Sequence, residues 1–571
     1  MKRLLVYLKD YKKECVLAPL FKMLEASFEL FVPLVIASLI DKGILAGDKS
    51  VIIRSFLLLV LLGFIGLTAS VTAQFFSAKA AVGFATELRH SLFESLLKLG
   101  FPEIDNLGTS AMITRMTSDV NQLQNGVNMF LRLFLRSPFV VFGALIMAFT
   151  IDVKSSLIFL IVIIALAIVI FSLMSINVRQ VKNVQEKLEN VLTATRENLK
   201  GVRVIRAFCK EREESEAFKE DNSLLVAALN KAGNISALMN PLTYVMINAA
   251  IIILIYVDAI SVSKGNMSQG TVVALYNYMS QILVELIKLA NLIVLINKTL
   301  TCSKRVSAIF EIEPSQVEGT VKADTDEEAV RFEHVSLTYD GSNEETLSDI
   351  DISIKKGETV GIIGGTGSGK TSLIHLIPRF YDATKGRVLV NGVDVKEQTY
   401  ESLRKKVGIV MQKAVLFEGS IRSNLIWADS DATDEELNKA ITDAQAKEVA
   451  DQKGGLNGKV EPGGRNYSGG QRQRLSIART LAGKPEILIL DDSSSALDYL
   501  TDLNLRKAIN ALPYKPTVII VSQRSASIMH ADKIIVLDDG QIAGIGTHEE
   551  LLKDCEVYKE IYESQYSEDA G

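Results

Sequence analysis

The sequence predicts an α-helical membrane domain, with six transmembrane helices and long cytoplasmic extensions, followed by an α/β domain. Six long apolar stretches occupy about the first 300 residues. A glycine-rich loop then lies between an apolar strand and a helix, at 364–371, in a region of ordinary soluble composition. We expect the membrane domain at 1–300, a linker at 301–329 and the α/β domain at 330–571.

The composition argues against several other classes of protein. Of the 571 residues 48% are hydrophobic, the mean hydropathy is +0.23 and the net charge is -5, so no basic surface for nucleic acid is indicated. The four cysteines form no CxxC pair and no metal-type spacing with histidines, which favours free thiols. The opening MKRLLVYLKDYKKE is basic but lacks a signal-peptide cleavage site, so we expect a retained cytoplasmic segment.

The six apolar stretches each reach the roughly 20 residues that span a bilayer as a helix. Their approximate limits are 16–40, 52–78, 128–150, 155–175, 240–262 and 270–297. The first is the weakest, because it carries Lys22, Glu25 and Glu29. The short connections DKGILAGDKS, IDVKSS and SVSKGNMSQG are predicted to be external.

The other two connections, 79–127 and 176–239, are long, polar and rich in lysine and arginine. The positive-inside rule places them in the cytoplasm together with the basic N-terminus. Six crossings return the C-terminal half to the same side of the membrane. Sequence topology therefore predicts a multi-pass protein whose α/β domain is cytoplasmic.

Both long connections have helical periodicity and few helix breakers, so we interpret them as membrane helices that continue into the cytoplasm. An arm of about 24 residues would reach roughly 36 Å. The chain is expected to turn near Asn106–Ser110 and near Gly201–Ala207. Such tips could dock on the α/β domain, and the alternative is a solvated hairpin without a coupling role.

The glycine-rich loop has the strand-loop-helix context of a phosphate-binding loop. Its glycines let backbone N–H groups surround phosphates, and the following helix adds its positive N-terminal dipole. Lys370 is predicted to neutralise the β- and γ-phosphates of a nucleotide, and Thr371 to ligate Mg²⁺. The predicted nucleotide-binding residues of this segment are Gly364, Gly365, Thr366, Gly367, Ser368, Gly369, Lys370, Thr371 and Ser372.

The run Ile487–Asp492 has the pattern of a buried strand that ends in two carboxylates. Asp491 is placed to hold Mg²⁺ through water, as the Walker B aspartate does. The alternative, an acid that caps the next turn, is disfavoured once a phosphate-binding loop is present. The predicted cofactors are ATP and Mg²⁺.

The segment SGGQRQRLSIARTLAGKPEILILDD resembles the signature-to-Walker B block of ATP-binding cassette (ABC) proteins. Six membrane helices followed by one cassette resemble a half-transporter of the type IV, multidrug-exporter kind. The resemblance implies an α/β P-loop ABC ATPase domain and coupled ATP hydrolysis and transport. It also implies two partners besides the lipid bilayer: a second half-transporter and an amphiphilic drug, lipid or peptide substrate.

The same resemblance implies roles for further residues. Tyr339 would stack on adenine, although by position alone it could be a buried strand tyrosine. Gln412 would contact Mg²⁺ or the attacking water. The signature would grip the γ-phosphate of ATP held by the opposite subunit, and its residues are Ser468, Gly469, Gly470 and Gln471. Ser495-Ala496-Leu497-Asp498 matches the D-loop at the dimer interface.

Two residues depart from the family pattern. Asp492 stands where the general base is usually Glu, and Asp is shorter by one methylene group. A catalytic group displaced by about 1 Å can lose on the order of a hundredfold in rate. Gln523 stands where the switch histidine is usual, and it cannot relay a proton as imidazole does. His530 lies seven residues later and is expected to be a surface histidine.

These departures resemble the degenerate-site subunit of bacterial heterodimeric ABC exporters. The implied location is the bacterial cytoplasmic membrane, and the implied partner is a half-transporter whose competent site this chain's signature completes. The alternatives are a homodimeric exporter with two slow Asp492 sites and, from another class, an ATP-gated channel or regulatory subunit. Drift without functional consequence is the competing explanation for each substitution.

Polar residues within the membrane helices suggest where a substrate binds. The sixth stretch carries such residues on one helix face, namely Asn277, Gln281, Glu285 and Lys288. Lys22, Glu25 and Glu29 do the same in the first stretch. Two interpretations stay open. In the first, these stripes line a central cavity, which weakly favours a cationic amphiphile. In the second they do not contact substrate, because they pair within the membrane, as Glu285 could with Lys288, or because they lie beyond the bilayer.

Overall fold

The computed structural model describes residues 3–322, 327–493, 495 and 497–566, with backbone alone at 239, 240 and 566. The chain divides into two compact units. The helical unit comprises Met1–Leu97 and Thr109–Ile312, and the α/β unit comprises Lys98–Gly108 and Glu313–Gly571.

In the first part of the chain, the regular secondary structure of the described residues is helical. Its helices are α1 (Lys12–Ser38), α2 (Lys49–Leu97), α3 (Phe101–Leu107), α4 (Thr109–Thr114), α5 (Val120–Leu133), α6 (Arg136–Ile151), α7 (Val153–Ala207), α8 (Glu211–Ser263) and α9 (Gln269–Ile309). A 3₁₀ segment, Leu4–Tyr11, precedes α1, and π-helical turns at Leu39–Ile44 and Arg115–Asp119 extend α1 and join α4 to α5.

Six helical segments of the described residues are long and apolar enough to cross a membrane, as predicted: Leu4–Ile44, Lys49–Leu97, Thr109–Ile151, Val153–Ala207, Glu211–Ser263 and Gln269–Ile309. Large apolar side chains point outward from them. On α2, the side chains of Phe56, Phe64 and Leu67 are 61%, 65% and 61% exposed. A surface of this kind is stable against lipid and not against water.

The predicted cytoplasmic extensions are continuous with the spans. The 55 residues of α7 correspond to about 80 Å of helix. The first turn falls at Gly108, where φ is +71°, inside the predicted tip Asn106–Ser110. The second tip was predicted slightly too early, because Gly201–Ala207 is helical and the chain turns at Phe208–Lys210. Cys209, with φ of 53°, makes that turn, whereas Gly201 stays inside α7.

The predicted external connections are shorter than their sequences suggested. Asp152 alone separates α6 from α7, and its carboxylate accepts the Ser155 N–H at 2.8 Å as the N-cap of α7. Ser268 caps α9 in the same way, by accepting the Thr271 N–H at 3.3 Å. Both caps are local sequence signals that fix where a span begins.

The α/β unit contains twelve strands within the described residues. They are β1 (Glu328–Leu337), β2 (Leu347–Lys355), β3 (Thr359–Gly364), β4 (Lys385–Val390), β5 (Val393–Asp394), β6 (Val407–Val410), β7 (Gly419–Ser420), β8 (Lys459–Val460), β9 (Ile487–Asp491), β10 (Thr517–Val521), β11 (Lys533–Asp538) and β12 (Gln541–Gly546).

The helices of this unit surround its sheets. They are α10 (Lys370–Leu376), α11 (Tyr400–Lys406), α12 (Ile421–Leu425), α13 (Asp434–Asp443), α14 (Lys447–Gln452), α15 (Gly469–Ala482), α16 (Tyr499–Asn510), α17 (Ser525–Ile528), α18 (His548–Asp554) and α19 (Glu556–Tyr566).

A six-stranded sheet in the order β12-β11-β3-β10-β9-β6 positions the candidate site. Strands β3, β10, β9, β6 and β11 are parallel, and β12 closes one edge in antiparallel orientation. Val521 of β10 pairs with Ile362 of β3 and with Asp491 of β9, so three carboxyl ends lie side by side. Ligands of open α/β sheets bind at this edge.

A second, antiparallel sheet in the order β2-β1-β4-β5 packs its buried face together with β3, β9 and α10 in one apolar core. The segment predicted as a linker, 301–329, begins as helix, because α9 runs to Ile309. Further along it, the Gly319 N–H donates to the Gln398 carbonyl at 3.2 Å within the α/β unit.

Candidate nucleotide-binding site

The glycine-rich loop connects β3 to α10 and has little room for side chains where it leaves the sheet. A Cβ on Gly364 would lie 2.1 Å from the Leu537 carbonyl oxygen. Gly367 and Gly369 have φ values of +87° and +92°, which residues other than glycine rarely adopt. These two conformations bend the backbone around the start of α10, as a phosphate-binding loop requires.

Lys370 is buried inside this loop and has no carboxylate partner among the described residues. Its Nζ donates to the carbonyl oxygens of Gly364 at 2.9 Å and Gly365 at 2.6 Å, and to Ser368 Oγ at 3.2 Å. Burial lowers the pKa of Lys370, although the charges of the neighbouring carboxylates oppose this. An ammonium held only by neutral oxygens fits the role of a phosphate ligand.

Asp491 ends β9 and faces Thr371, whose Oγ1 lies 3.3 Å from its Oδ1. Burial is the main cause that raises the pKa of Asp491 to about 6, and the charge of Asp492 adds to it. A buried carboxylate with only a hydroxyl partner is stabilised by a cation. Carboxylate and hydroxyl oxygens are donors that suit Mg²⁺, so the residues present fit this ion.

The two departing residues lie in the same cavity as this pair. Asp492 has φ of 43°, its N–H donates to the Val521 carbonyl at 3.0 Å, and its Oδ2 accepts from Gln412 Nε2 at 3.3 Å. The cavity has a volume of about 340 Å³. It is lined by Thr346, Thr366, Gly367, Gly369, Lys370, Thr371, Ser372, Gln412, Asp491, Asp492, Val521, Ser522 and Gln523.

The sequence interpretation missed three of these lining residues. Val521 and Ser522 follow from the pairing of β10 between β3 and β9, because β10 ends at Val521 and the chain continues through Ser522 to Gln523. Thr346 precedes β2, and only the packing of the second sheet brings it to the cavity. No local motif marks it.

Tyr339 does not line this cavity. Its hydroxyl donates to Ser372 Oγ at 2.9 Å, and its ring stands edge-on to the Tyr381 ring at 5.0 Å. The two tyrosines line a neighbouring cavity of about 420 Å³ that also includes Asp105 of α3. Tyr339 therefore contacts the nucleotide cavity only through the hydroxyl of Ser372, which lines that cavity. Its contact with adenine stays a prediction.

The short helix α3 packs within the α/β unit. Phe101 stacks on Phe380 with ring centroids 4.3 Å apart, and the Tyr381 hydroxyl donates to Asp105. Glu103 Oε1 accepts the Ser315 N–H at 2.9 Å. Burial and the Asp105 carboxylate raise the pKa of Tyr381. The segment predicted to turn at the first arm tip thus joins the unit that contains the nucleotide cavity.

The signature residues lie elsewhere in the α/β unit. Ser468 is the exposed N-cap of α15, where its Oγ accepts the Gln471 N–H at 3.3 Å and Gln471 Oε1 accepts the Ser468 N–H at 2.9 Å. Gly469 is exposed and Gly470 half-buried, and none of the four lines the cavity around Lys370 within the described chain. One chain therefore does not bring the two predicted motifs together.

The remaining predicted positions are His530 and the residues of the D-loop match, Ser495–Asp498. His530 is exposed, as expected. In the D-loop match, Asp498 caps α16 by accepting the Thr501 N–H at 2.9 Å, Ser495 Oγ donates to the Asp492 carbonyl at 2.8 Å, and Ala496 lies outside the described residues.

The polar stripes of the helical unit are largely paired with each other. Glu285 accepts from Lys288 Nζ at 2.8 Å, as one of the two sequence interpretations expected, and from Ser137 Oγ at 2.8 Å. It also pairs with Arg136, which bonds Glu29 Oε2 at 2.7 Å. The sequence interpretation missed Arg136, because its partners are 149 and 107 residues away.

The remaining stripe residues also have partners. Lys22 Nζ donates to Glu25 at 2.5 Å and to Ser70 Oγ at 3.1 Å. Asn277 donates to the Val273 carbonyl at 3.0 Å, and Gln281 to the Glu29 carbonyl at 3.4 Å.

Comparisons with known proteins agree with this architecture. A family model described as ABC transporter transmembrane region matches residues 15–286, and one described as ABC transporter matches residues 347–495. An uncharacterized ABC transporter ATP-binding protein, YfiB of Bacillus subtilis, is 32% identical over 100% of both chains. A putative multidrug export ATP-binding/permease protein of the same species, YgaD, is 31% identical over 99% of both.

More distant similarities point the same way. An ATP-dependent lipid A-core flippase of Syntrophus aciditrophicus is 29% identical over 85% of this chain and 80% of its own. The structure of a bacterial Atm1-family ABC exporter with ATP bound is similar with a TM-score of 0.80, at 22% identity, and covers 98% of this chain and 99% of that one. At 22% identity this similarity shows that the two chains share a fold, and no more.

Proposed function

Because the chain belongs to the ABC transporter family, as an exporter half-transporter with one membrane domain and one ATPase domain, we propose that it forms one half of a heterodimer. The pair exports an amphiphilic drug, lipid or peptide across the bacterial cytoplasmic membrane. This chain's own ATP site turns over slowly, and its signature completes the competent site of the partner. The observation that carries the proposal is the presence of Asp492 and Gln523 together in the cavity around Lys370.

The ABC ATPase domain implies that the chain binds ATP, typically with Mg²⁺. In our proposal Lys370 binds the β- and γ-phosphates, and the loop 364–369 surrounds them with backbone N–H groups. Thr371, Asp491 and Gln412 hold Mg²⁺, which supplies charge neutralisation at the phosphates. Tyr339 stacks on the adenine, and Ser372 positions the Tyr339 hydroxyl.

The slow turnover follows from what Asp492 can do. Its side chain is one methylene shorter than Glu, and its Oδ2 is already hydrogen-bonded by Gln412 at 3.3 Å. A general base must reach the proton that it removes, so a short carboxylate loses efficiency. Gln523 can donate a hydrogen bond to a phosphate. It has no imidazole that could relay a proton, so it does not compensate for the short side chain of Asp492.

The exposed cap of α15 supports the division of labour between two chains. Ser468 and Gly469 face solvent at the start of an intact 14-residue helix, whose remaining residues are buried or half-buried. An exposed helix N-terminus presents N–H groups to an anion. In the heterodimer this anion is the γ-phosphate of the ATP that the partner binds.

The transport direction and substrate class are proposed from charge and similarity. The lysine- and arginine-rich extensions support a cytoplasmic location for the ATPase domain and the N-terminus. The printed names of two relatives, a putative multidrug export protein and a lipid A-core flippase, support an amphiphile. The paired Glu285 and Glu29 do not by themselves select a cationic one.

The proposal is tested in inside-out vesicles that contain this chain with a co-expressed second half-transporter. ATP-dependent uptake of a fluorescent amphiphile is expected for the pair and not for either chain alone. Absence of any vectorial transport of amphiphile, lipid or peptide would count against export. A purified complex that contains this chain alone and transports would establish the homodimer instead.

Two substitutions separate the two sites. Ser468→Arg is expected to abolish turnover of the pair, because it blocks the partner's site. Lys370→Ala is expected to weaken ATP binding at this chain's own loop by about 10- to 100-fold, the usual worth of a charged hydrogen bond, while much of the turnover remains. If Ser468→Arg leaves turnover intact, the shared-site model is wrong.

A further inference from the structure

Two carboxylates meet one hydroxyl where α6, α7 and α8 come together in the helical unit. Ser155 Oγ lies 2.8 Å from Asp152 Oδ2 and 2.5 Å from Asp258 Oδ1. Ser155 and Asp258 have no exposed surface, and Asp258 Oδ2 is buried without a partner among the described residues. Asp258 comes five residues before the end of α8, and Asp152 is the N-cap of α7.

The distances require a proton beyond the one that serine supplies. A hydroxyl carries a single hydrogen, so Ser155 can donate to only one of the two carboxylates. The other contact joins two oxygens at hydrogen-bond distance and is stable only if that carboxyl group is itself protonated. An O–H···O contact of about 2.5–2.8 Å is the normal separation when the proton is present.

The extra proton belongs on Asp258. Asp152 Oδ2 already accepts the Ser155 N–H at 2.8 Å, and it lies at the N-terminus of a long helix, where a negative charge is stabilised. Asp258 is buried, and no lysine, arginine or histidine within the described residues forms an ion pair with it. Burying an unpaired charge is costly, and protonation removes that cost.

The surrounding helices supply no other charge for this group. Helix α6 carries no ionisable residue after Arg136, and Lys154 and Lys264 are exposed at the ends of α7 and α8. On α9, Tyr276 is exposed, and the buried Tyr278 donates its hydroxyl to the Leu30 carbonyl at 2.6 Å. Asp152 is therefore the ionised group that Asp258 faces.

We propose that Asp258 is a proton-binding site, whose proton joins the ends of α7 and α8 through Ser155. Asp258 Oδ1–H donates to Ser155 Oγ, whose own O–H donates to ionised Asp152 Oδ2. When these helix ends separate, Asp258 meets water and releases its proton. The packed arrangement thus binds one proton more than the separated one, and acidity favours it. In the orientation proposed above, this site lies at the external end of the spans.

Infrared difference spectroscopy of the full chain in lipid tests the proton directly and needs neither ATP turnover nor transport. At neutral pH, the wild-type minus Asp258→Asn difference spectrum is expected to contain one positive band per chain from a protonated carboxylic C=O group, which the variant lacks. Ser155→Ala is expected to shift this band, because it removes the acceptor of the Asp258 proton. Identical wild-type and Asp258→Asn spectra in the carboxylic region would overturn the proposal.

A pH series of thermal unfolding, with the same full chain in lipid, tests the linkage to packing. Relative to Asp258→Asn, whose amide keeps a donor to Ser155 without titrating, the wild-type unfolding temperature is expected to fall as the pH rises from about 4, the ordinary pKa of an aspartate, to beyond neutral. Parallel pH profiles would overturn the linkage. If Asp258→Asn does not fold, the Ser155→Ala profile replaces it, since that variant loses the hydroxyl and keeps both carboxylates. Failure of export in vesicles would leave both measurements unaffected.

Discussion

Two sets of charged side chains, one around the nucleotide cavity of the α/β unit and one around Arg136 in the helical unit, are arranged in opposite ways. In the α/β unit, Lys370 is held by neutral oxygens and Asp491 by one hydroxyl. In the helical unit, Arg136 bonds two carboxylates and Glu285 accepts from two cations and a hydroxyl. Both sets are substantially buried, so the cost of desolvation is present in both.

This difference separates a ligand site from a structural one. Buried charges without partners are unfavourable until a ligand of opposite charge arrives, which in our proposal is phosphate for Lys370 and Mg²⁺ for Asp491. Buried charges that satisfy each other hold the fold and leave nothing for a ligand. Removing a charge should therefore destabilise the helical unit and not the nucleotide cavity.

The largest effect is expected for Arg136→Ala. It leaves Glu29 and Glu285 without their shared partner, and breaking a buried ion pair costs about 3–5 kcal/mol. Unfolding in detergent or lipid, followed by heat or denaturant, measures this loss. Adding Glu285→Gln should recover part of it, because a buried carboxylate charge that then keeps only Lys288 as a cationic partner is removed.

Arg212→Ala is the matched control, since the Arg212 side chain is 92% exposed and its pair with Glu216 is a solvated one. No measurable change is expected there. If both arginine variants are equally stable, the cluster around Arg136 is not structural, and its residues become candidates for substrate contact.

Removing the charge of Asp491 is expected to have the opposite effect to Arg136→Ala, a gain in stability at neutral pH, and this gain depends on pH. Its pKa is raised to about 6, so the folded protein without nucleotide binds a proton more tightly than the unfolded chain. The stabilisation is therefore present below pH 4 and is lost as the pH rises towards 6, by up to about 3 kcal/mol. Asp491→Asn should remove this dependence and raise stability at neutral pH, measured by unfolding without nucleotide.

The same unfolding measurements on wild type and Asp491→Asn, repeated with Mg²⁺ and ATP present, test whether Asp491 binds the ion. The ligands should stabilise the wild type at neutral pH and should stabilise Asp491→Asn much less. Equal stabilisation of both proteins would show that Asp491 does not contribute to the ion site.

Asp492→Glu tests whether the length of the carboxylate limits turnover. The longer side chain is expected to raise ATP hydrolysis at this chain's own site by about tenfold or more, given the steep dependence on position. The measurement uses a pair in which the partner's site is inactivated. An unchanged rate would assign the limit to Gln523 or to asymmetry of the cassettes, and Gln523→His, alone and combined, distinguishes these.

The nucleotide cavity was predictable because its residues lie in short local motifs at the ends of neighbouring strands. Lys370, Gln412, Asp491, Asp492 and Gln523 were all chosen from the sequence, and all line one cavity. Parallel pairing of consecutive strand ends brings such motifs together without any further information.

The helical unit was predictable in its spans and not in its contacts. Hydropathy identifies each span, but Arg136 and Glu285 find each other only through the packing of α6 against α9. The same is true of Asp258 and Ser155, which are 103 residues apart. The turn at Cys209 was misplaced because Gly201 is the stronger breaker by residue type, and helix packing overrides propensity.

The smallest effect is expected for Tyr381→Phe. This residue bonds an exposed carboxylate and also contacts a residue next to the nucleotide cavity. The Tyr381 hydroxyl donates to the exposed carboxylate of Asp105, and its ring contacts Tyr339, whose hydroxyl reaches Ser372. Losing one hydrogen bond to an exposed charge should cost about 1 kcal/mol.

This cost should appear as faster hydrogen exchange in α3, while nucleotide affinity stays the same, because the ring contact with Tyr339 is kept. Tyr400→Phe is the control, since the Tyr400 ring packs on Arg404 and its hydroxyl makes no hydrogen bond found among the described residues. Weaker nucleotide binding in Tyr381→Phe alone would mean that the hydroxyl pair links α3 to the cavity, so that even an exposed charge contributes to the ligand site.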